Sequence, residues 1–93
     1  MRSGAWGLCG FLVFLSQNAL ACEPSYFRVV KVPHNDVLNI REGPSTEHRI
    51  IGIIAPEGRD VENTCSCNEE WCQIRYFGVV GWVNRAYLAP DRR

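Results

Sequence analysis

The sequence predicts an all-β fold, a small barrel or sandwich with one short helical turn near the C-terminus. Three observations carry this. Short runs rich in β-branched and aromatic residues recur along the chain. Pro, Gly, Asn and Asp fall between those runs as turn signals. No stretch keeps a helical period long enough for a bundle. Chains patterned in this way fold as small barrels or sandwiches.

The first segment stands outside that fold. Arg2 is followed by an uncharged apolar run, Ala5 to Leu15, then a polar break at Ser16-Gln17-Asn18. Ala19-Leu20-Ala21 is an A-x-A cleavage site, so residues 1–21 read as a secretory signal peptide. The apolar run is too short to cross a bilayer comfortably. Cleavage after Ala21 would expose Cys22-Glu23-Pro24-Ser25 as a short leader.

Tyr26 to Val32 reads as a strand, and Pro33-His34-Asn35-Asp36 breaks it. Val37 to Arg41 alternates, which puts Leu38 and Ile40 toward a core and Asn39 and Arg41 away from it. Glu42-Gly43-Pro44-Ser45 is a loop, since Gly-Pro forbids regular pairing. Arg49 to Ile54 is an apolar strand whose Gly52 marks a bulge or close packing. Ala55-Pro56-Glu57-Gly58 is a turn. Asp60 to Thr64, Glu70 to Tyr76 and Val79 to Val83 read as further strands, the last two joined by a tight hairpin at Phe77-Gly78. Asn84 to Tyr87 suits one helical turn, and Leu88 closes the sheet. Asp91-Arg92-Arg93 reads as frayed.

Ten basic residues balance ten acidic ones, and loss of Arg2 with the leader would leave one negative charge in excess. Arg92-Arg93 is the one basic pair that stands out in the exported part. Phosphate binding needs a concentrated basic surface, so a nucleic-acid partner is not expected. The exported part has no apolar run long enough to span a membrane.

Five cysteines occur, and Cys9 falls in the signal segment. An even set remains: Cys22, Cys65, Cys67 and Cys72. In a small exported domain this is a disulfide framework with three possible connectivities. A Cys65–Cys67 bridge would close a strained ring. Cys67 and Cys72 flank the polar turn Asn68-Glu69-Glu70-Trp71, and a hairpin brings such positions close. Lipidation at Cys22 is disfavoured by Ala19, where lipoprotein signals carry Leu, and would leave an odd thiol count. Zinc is disfavoured by the C-x-C spacing, and a redox pair by the absence of C-x-x-C. His34 and His48 lie in polar loops, and no GxSxG, HExxH or phosphate loop is present. Paired cysteines leave no thiolate nucleophile, so no enzymatic activity, catalytic residue, cofactor or metal is expected.

Two runs carry a family likeness. Leu38-Asn39-Ile40-Arg41-Glu42-Gly43-Pro44-Ser45 comes first. Trp71-Cys72-Gln73-Ile74-Arg75-Tyr76-Phe77-Gly78-Val79-Val80-Gly81-Trp82-Val83 follows, with Tyr87-Leu88 beyond it. In this order and spacing they resemble the bacterial SH3 (SH3b) family over about Tyr26 to Ala89. The resemblance implies an SH3-like barrel of about five strands at 26–89, with 90–93 as a tail. It also implies a non-catalytic binding module of the bacterial cell envelope, exported and either periplasmic or secreted. Its expected partner is peptidoglycan, a cell-wall peptide, or an extended peptide of an envelope protein; the rival reading is a disulfide-stapled structural or inhibitory subunit. A monomer is expected. The run C-x-x-x-W-C resembles a recurring variant of the family, which together with the hairpin favours Cys67–Cys72 and leaves Cys22–Cys65.

Aromatic residues are the natural binding candidates, because they offer flat apolar area with few rotamers to freeze. Trp82 and Leu88 are expected to pack structurally on the family pattern. Trp71, at a loop mouth, is expected to be partly exposed, and Phe77, at a hairpin tip, to be exposed. The Leu38–Pro44 run corresponds to the loop bordering ligand grooves in SH3-like barrels. The ligand-binding set is therefore Asn39, Arg41, Trp71, Tyr76 and Tyr87. Within it, Asn39 is expected to tie the loop through hydrogen bonds, and Arg41 to make a structural ion pair.

Overall fold

The computed structural model describes residues 22–92. The expected signal peptide and its cleavage site lie outside the described residues, as does Arg93.

Seven strands follow in chain order: β1 Tyr26–Val29, β2 Leu38–Arg41, β3 Ile50–Ile54, β4 Val61–Cys67, β5 Trp71–Tyr76, β6 Val79–Asn84 and β7 Leu88–Pro90. A 3-10 turn, Arg85–Tyr87, links β6 to β7. The strands form one antiparallel sheet in the order β3-β2-β6-β5-β4-β1-β7. This is the small SH3-like all-β fold. The strand count rises above the expected five partly because Leu88–Pro90 pairs with β1 as a strand of its own.

Alternation sets the inner face. Phe27 and Val29 of β1, Leu38 and Ile40 of β2, and Cys72 and Ile74 of β5 are buried. They join Ile54, Val61 and Val83 in one core. β1 stops at Val29 rather than Val32, because Lys31 takes φ 64°, which an extended strand cannot contain. β2 and β3 shift register between Ile40↔Gly52 and Arg41↔Ile50. Ile51 is thus the extra residue of a bulge, and a Cβ on Gly52 would lie 3.2 Å from Ile40 Cδ1. The small residue at Gly81 is required more strictly. A Cβ there would come within 2.7 Å of the Arg41 carbonyl oxygen, where β2 crosses β6.

The β5–β6 hairpin is regular from Trp71↔Asn84 to Tyr76↔Val79. Phe77 at φ 47° and Gly78 at φ 82° make its mirror-type turn, whose twist matches that of paired strands. β4 runs past its expected end at Thr64 to Cys67. Its register on β5 jumps from Asn63↔Ile74 to Ser66↔Gln73, so Thr64 and Cys65 bulge out. Cys65 has φ 74°, and its N–H donates to Asn63 Oδ1 at 2.9 Å.

Both expected bridges are present. Cys67 and Cys72 face each other on the β4–β5 ladder with Cα atoms 4.1 Å apart. Cys22 and Cys65 have Cα atoms 5.7 Å apart and join the leader to β4. The leader is also hydrogen-bonded: Asn63 N–H donates to Ser25 O, and Asn63 Nδ2 to Pro24 O. The expected frayed tail is corrected at Asp91, which is buried. Its N–H donates to Tyr26 O at 2.9 Å, and its carboxylate pairs with Arg59. The β1–β7 ladder carries the chain into these contacts, a long-range pairing that local composition cannot report.

Candidate binding cleft

Directly opposed residues on neighbouring strands share a face. Trp71 opposes Asn84, Gln73 opposes Trp82, and Trp82 opposes Arg41. These five side chains therefore stand on the face away from Cys72, Ile74 and Val83. At one end of that face the 31–39 segment and the 42–48 loop rise around a cleft of about 510 Å³. The size is within the range of small-ligand sites. Trp71, Tyr87, Asn39, Arg41, Asn84 and Thr46 line it, together with Lys31, Asp36 and the apolar segment Val32, Pro33, Val37 and Leu38.

Each wall has a local cause. Asn68 builds the turn that aims Trp71: its side-chain oxygen accepts from the N–H groups of Glu70 and Trp71, at 2.8 and 2.7 Å. Its carbonyl accepts from Arg85 Nη1 at 2.8 Å. Asn84 caps the 3-10 turn by accepting from Ala86 N–H at 2.9 Å, and so delivers Tyr87 to the cleft. The Tyr87 carbonyl accepts from Val30 N–H, which draws the following Lys31 and Val32 to the rim. Asp36 Oδ1 accepts from Val37 N–H at 2.7 Å and fixes the entry to β2.

Four of the five candidate residues converge here: Asn39, Arg41, Trp71 and Tyr87. Tyr76 does not. It packs against the core, with its ring edge-on to Phe77 at 4.6 Å, toward the other end of the hairpin. Phe77 itself is 89% exposed, in line with its place at the tip.

Four side chains behave differently from expectation. Trp71 is buried, at 8% exposure, although it stands off the core face. Thr46 of the 42–48 loop lines the cleft with Trp71, and Pro44 borders a second recess with Trp71, Asn68, Glu69 and Glu70. Trp82, expected to pack structurally, is half-buried and outside the core cluster, between Arg41 and Gln73. Arg41 and Asn39 take other roles than those expected. Among the described residues Arg41 makes no ion pair; its Nη1 donates to the carbonyls of Thr46 and His48, at 3.0 and 2.9 Å, and so ties the loop. The Asn39 side chain, expected to tie the loop, makes no hydrogen bond among the described residues and faces the cleft.

The loop has its own closure. Ser45 Oγ and His48 Nδ1 are hydrogen-bonded at 2.9 Å, and Arg49 pairs with Glu42 at 2.6 Å. Sequence reasoning missed Lys31, Asp36, Thr46 and Asn84. A signal existed for Asn84, which precedes the helical turn as a cap residue does. Lys31 reaches the rim through a positive φ that nothing in its neighbours announces. All four described cysteines are bridged, and no group of three or more His, Cys, Asp or Glu among the described residues could hold a metal ion. Chemically, the cleft can set a ligand against the half-buried Tyr87 ring, accept and donate hydrogen bonds through an amide, and meet charge at its rim.

A family model described as bacterial SH3 domain matches residues 36–89, more than half of the chain. No curated protein and no solved structure matches it.

Proposed function

The chain belongs to the bacterial SH3 domain family, and from that premise we propose that it is an exported, non-catalytic binding module that holds peptidoglycan stem peptides in the Trp71 cleft. The observation that carries this reading is Asn39. Its amide has no hydrogen-bond partner among the described residues and stands in a cleft with Trp71 and Tyr87. An amide can both donate to and accept from a peptide backbone, while the half-buried Tyr87 ring offers area for an intervening side chain. The two disulfides support an oxidising location outside the cytoplasm.

The test is retention on purified cell wall, followed by titration with soluble stem peptides. Asn39→Ala should leave the fold intact and weaken peptide binding by ~5–10-fold, the worth of one lost hydrogen bond. Phe77→Ser, at the far end of the hairpin, should leave binding unchanged. No retention by the native protein, or equal binding by Asn39→Ala, refutes the reading. One observation favours the rival subunit reading: the exposed Phe77 ring at the hairpin tip. Capture of one defined envelope protein, lost with Phe77→Ser and not with Asn39→Ala, would support it instead.

A further inference from the structure

β3 lies at one end of the strand order and pairs with β2 alone. Among the described residues, the backbone of Ile50–Ile54 makes no hydrogen bond outside that ladder. The strand reads Ile-Ile-Gly-Ile-Ile, with no charge and no proline. Ile50 is 46% exposed and Ile53 56%. Edges that stay single are blunted by charge, proline or short length. The opposite edge is blunted: β7 has three residues and ends in Pro90. The bulged Ile51 packs toward the core, so it leaves the outer edge open.

We propose that β3 pairs antiparallel with β3 of a second copy of this chain, about a two-fold axis. Charge selects this occupant. Arg49 precedes the strand and Glu57 follows it, and both are exposed. Antiparallel pairing brings Arg49 of each copy level with the turn that carries Glu57 of the other. Parallel pairing would set Arg49 beside Arg49. The two-fold repeats each favourable contact, as an isologous interface requires. Arg49 remains 73% exposed despite its bond to Glu42, so it can serve both carboxylates. An exported part with a single negative charge in excess also adds little repulsion between copies. No cleft-lining residue lies on β3, so both clefts stay open in the pair. The proposal replaces the expected monomer with a two-headed binder.

Sedimentation equilibrium on the oxidised protein, from micromolar to millimolar, tests it. The native chain should show a monomer–dimer equilibrium. Ile53→Lys should raise the dimer dissociation constant by ~10-fold or more, because like charges then face each other across the axis. Arg49→Glu should weaken the dimer, and Arg49→Glu combined with Glu57→Arg should restore it. Thermal melts of each variant check that the monomer still folds. A native chain that stays monomeric throughout, a dimer indifferent to Ile53→Lys, or a charge swap that fails to restore pairing would each overturn the proposal.

Discussion

Removing the Cys22–Cys65 bridge should cost this domain more stability than removing Cys67–Cys72. A bridge restricts the unfolded chain in proportion to the logarithm of the loop it closes. Cys22 and Cys65 are 43 residues apart, and Cys67 and Cys72 only 5. The loop-closure relation gives about 4 kcal/mol for the first and about 2 kcal/mol for the second. Cys72 is 1% exposed, so its loss also leaves poor packing, worth ~1 kcal/mol. The order therefore stands, at about 4 against about 3 kcal/mol. For a small domain with ~5–15 kcal/mol in total, the larger figure is a substantial share. The assay is urea unfolding of Cys22→Ala/Cys65→Ala and Cys67→Ala/Cys72→Ala, followed by the fluorescence of Trp71 and Trp82. A urea slope of ~1.3 kcal/mol per M would place the first variant's midpoint ~3 M below that of the native protein. The native spectrum should persist, because the bonds from Asn63 to Pro24 and Ser25 do not depend on sulfur. A midpoint shift below ~1 M, or a reversed order, would refute the argument that chain restriction dominates.

Other perturbations test separate parts of the structure. Ile74→Ala empties a fully buried site and should cost ~2–5 kcal/mol, read as a lower thermal midpoint. Arg59→Ala should cost ~1–2 kcal/mol, since the Asp91 carboxylate is buried but Arg59 is largely exposed; denaturant curves measure this, and a neutral result would show that Asp91 does not rely on that cation. Phe77→Asn should raise stability by ~0.5 kcal/mol, because Asn tolerates positive φ better than an aromatic residue. A lower melting temperature would show instead that the ring contact with Tyr76 outweighs the backbone gain.

Local pattern made much of this fold readable. The alternation in Leu38–Arg41 showed which residues face inward, because strand side chains must alternate. Phe77-Gly78 announced its hairpin, and Gly52 its bulge. What stayed hidden depends on distant partners. β7 exists because β1 receives it, and Asp91 is buried for the same reason. Trp71 stands off the core face yet is buried, beside a loop at residues 42–48 that is distant in sequence. Arg41 and Asn39 share that face, and reach decided between them: the long guanidinium arm extends to the carbonyls of Thr46 and His48. Tyr76 was drawn into the candidate set as an aromatic, whereas its register assigns it to the core side, with Cys72 and Ile74.

Asn63 is a fixed point for two strands of chemistry. Its main chain and side chain grip the leader at Ser25 and Pro24, while its side-chain oxygen orients the N–H of Cys65. None of these contacts involves a sulfur atom. The sheet thus presents Cys22 to Cys65 by geometry, and the hairpin presents Cys67 to Cys72 in the same way. Of the three ways of joining four thiols, the one present is the one that this backbone geometry already matches.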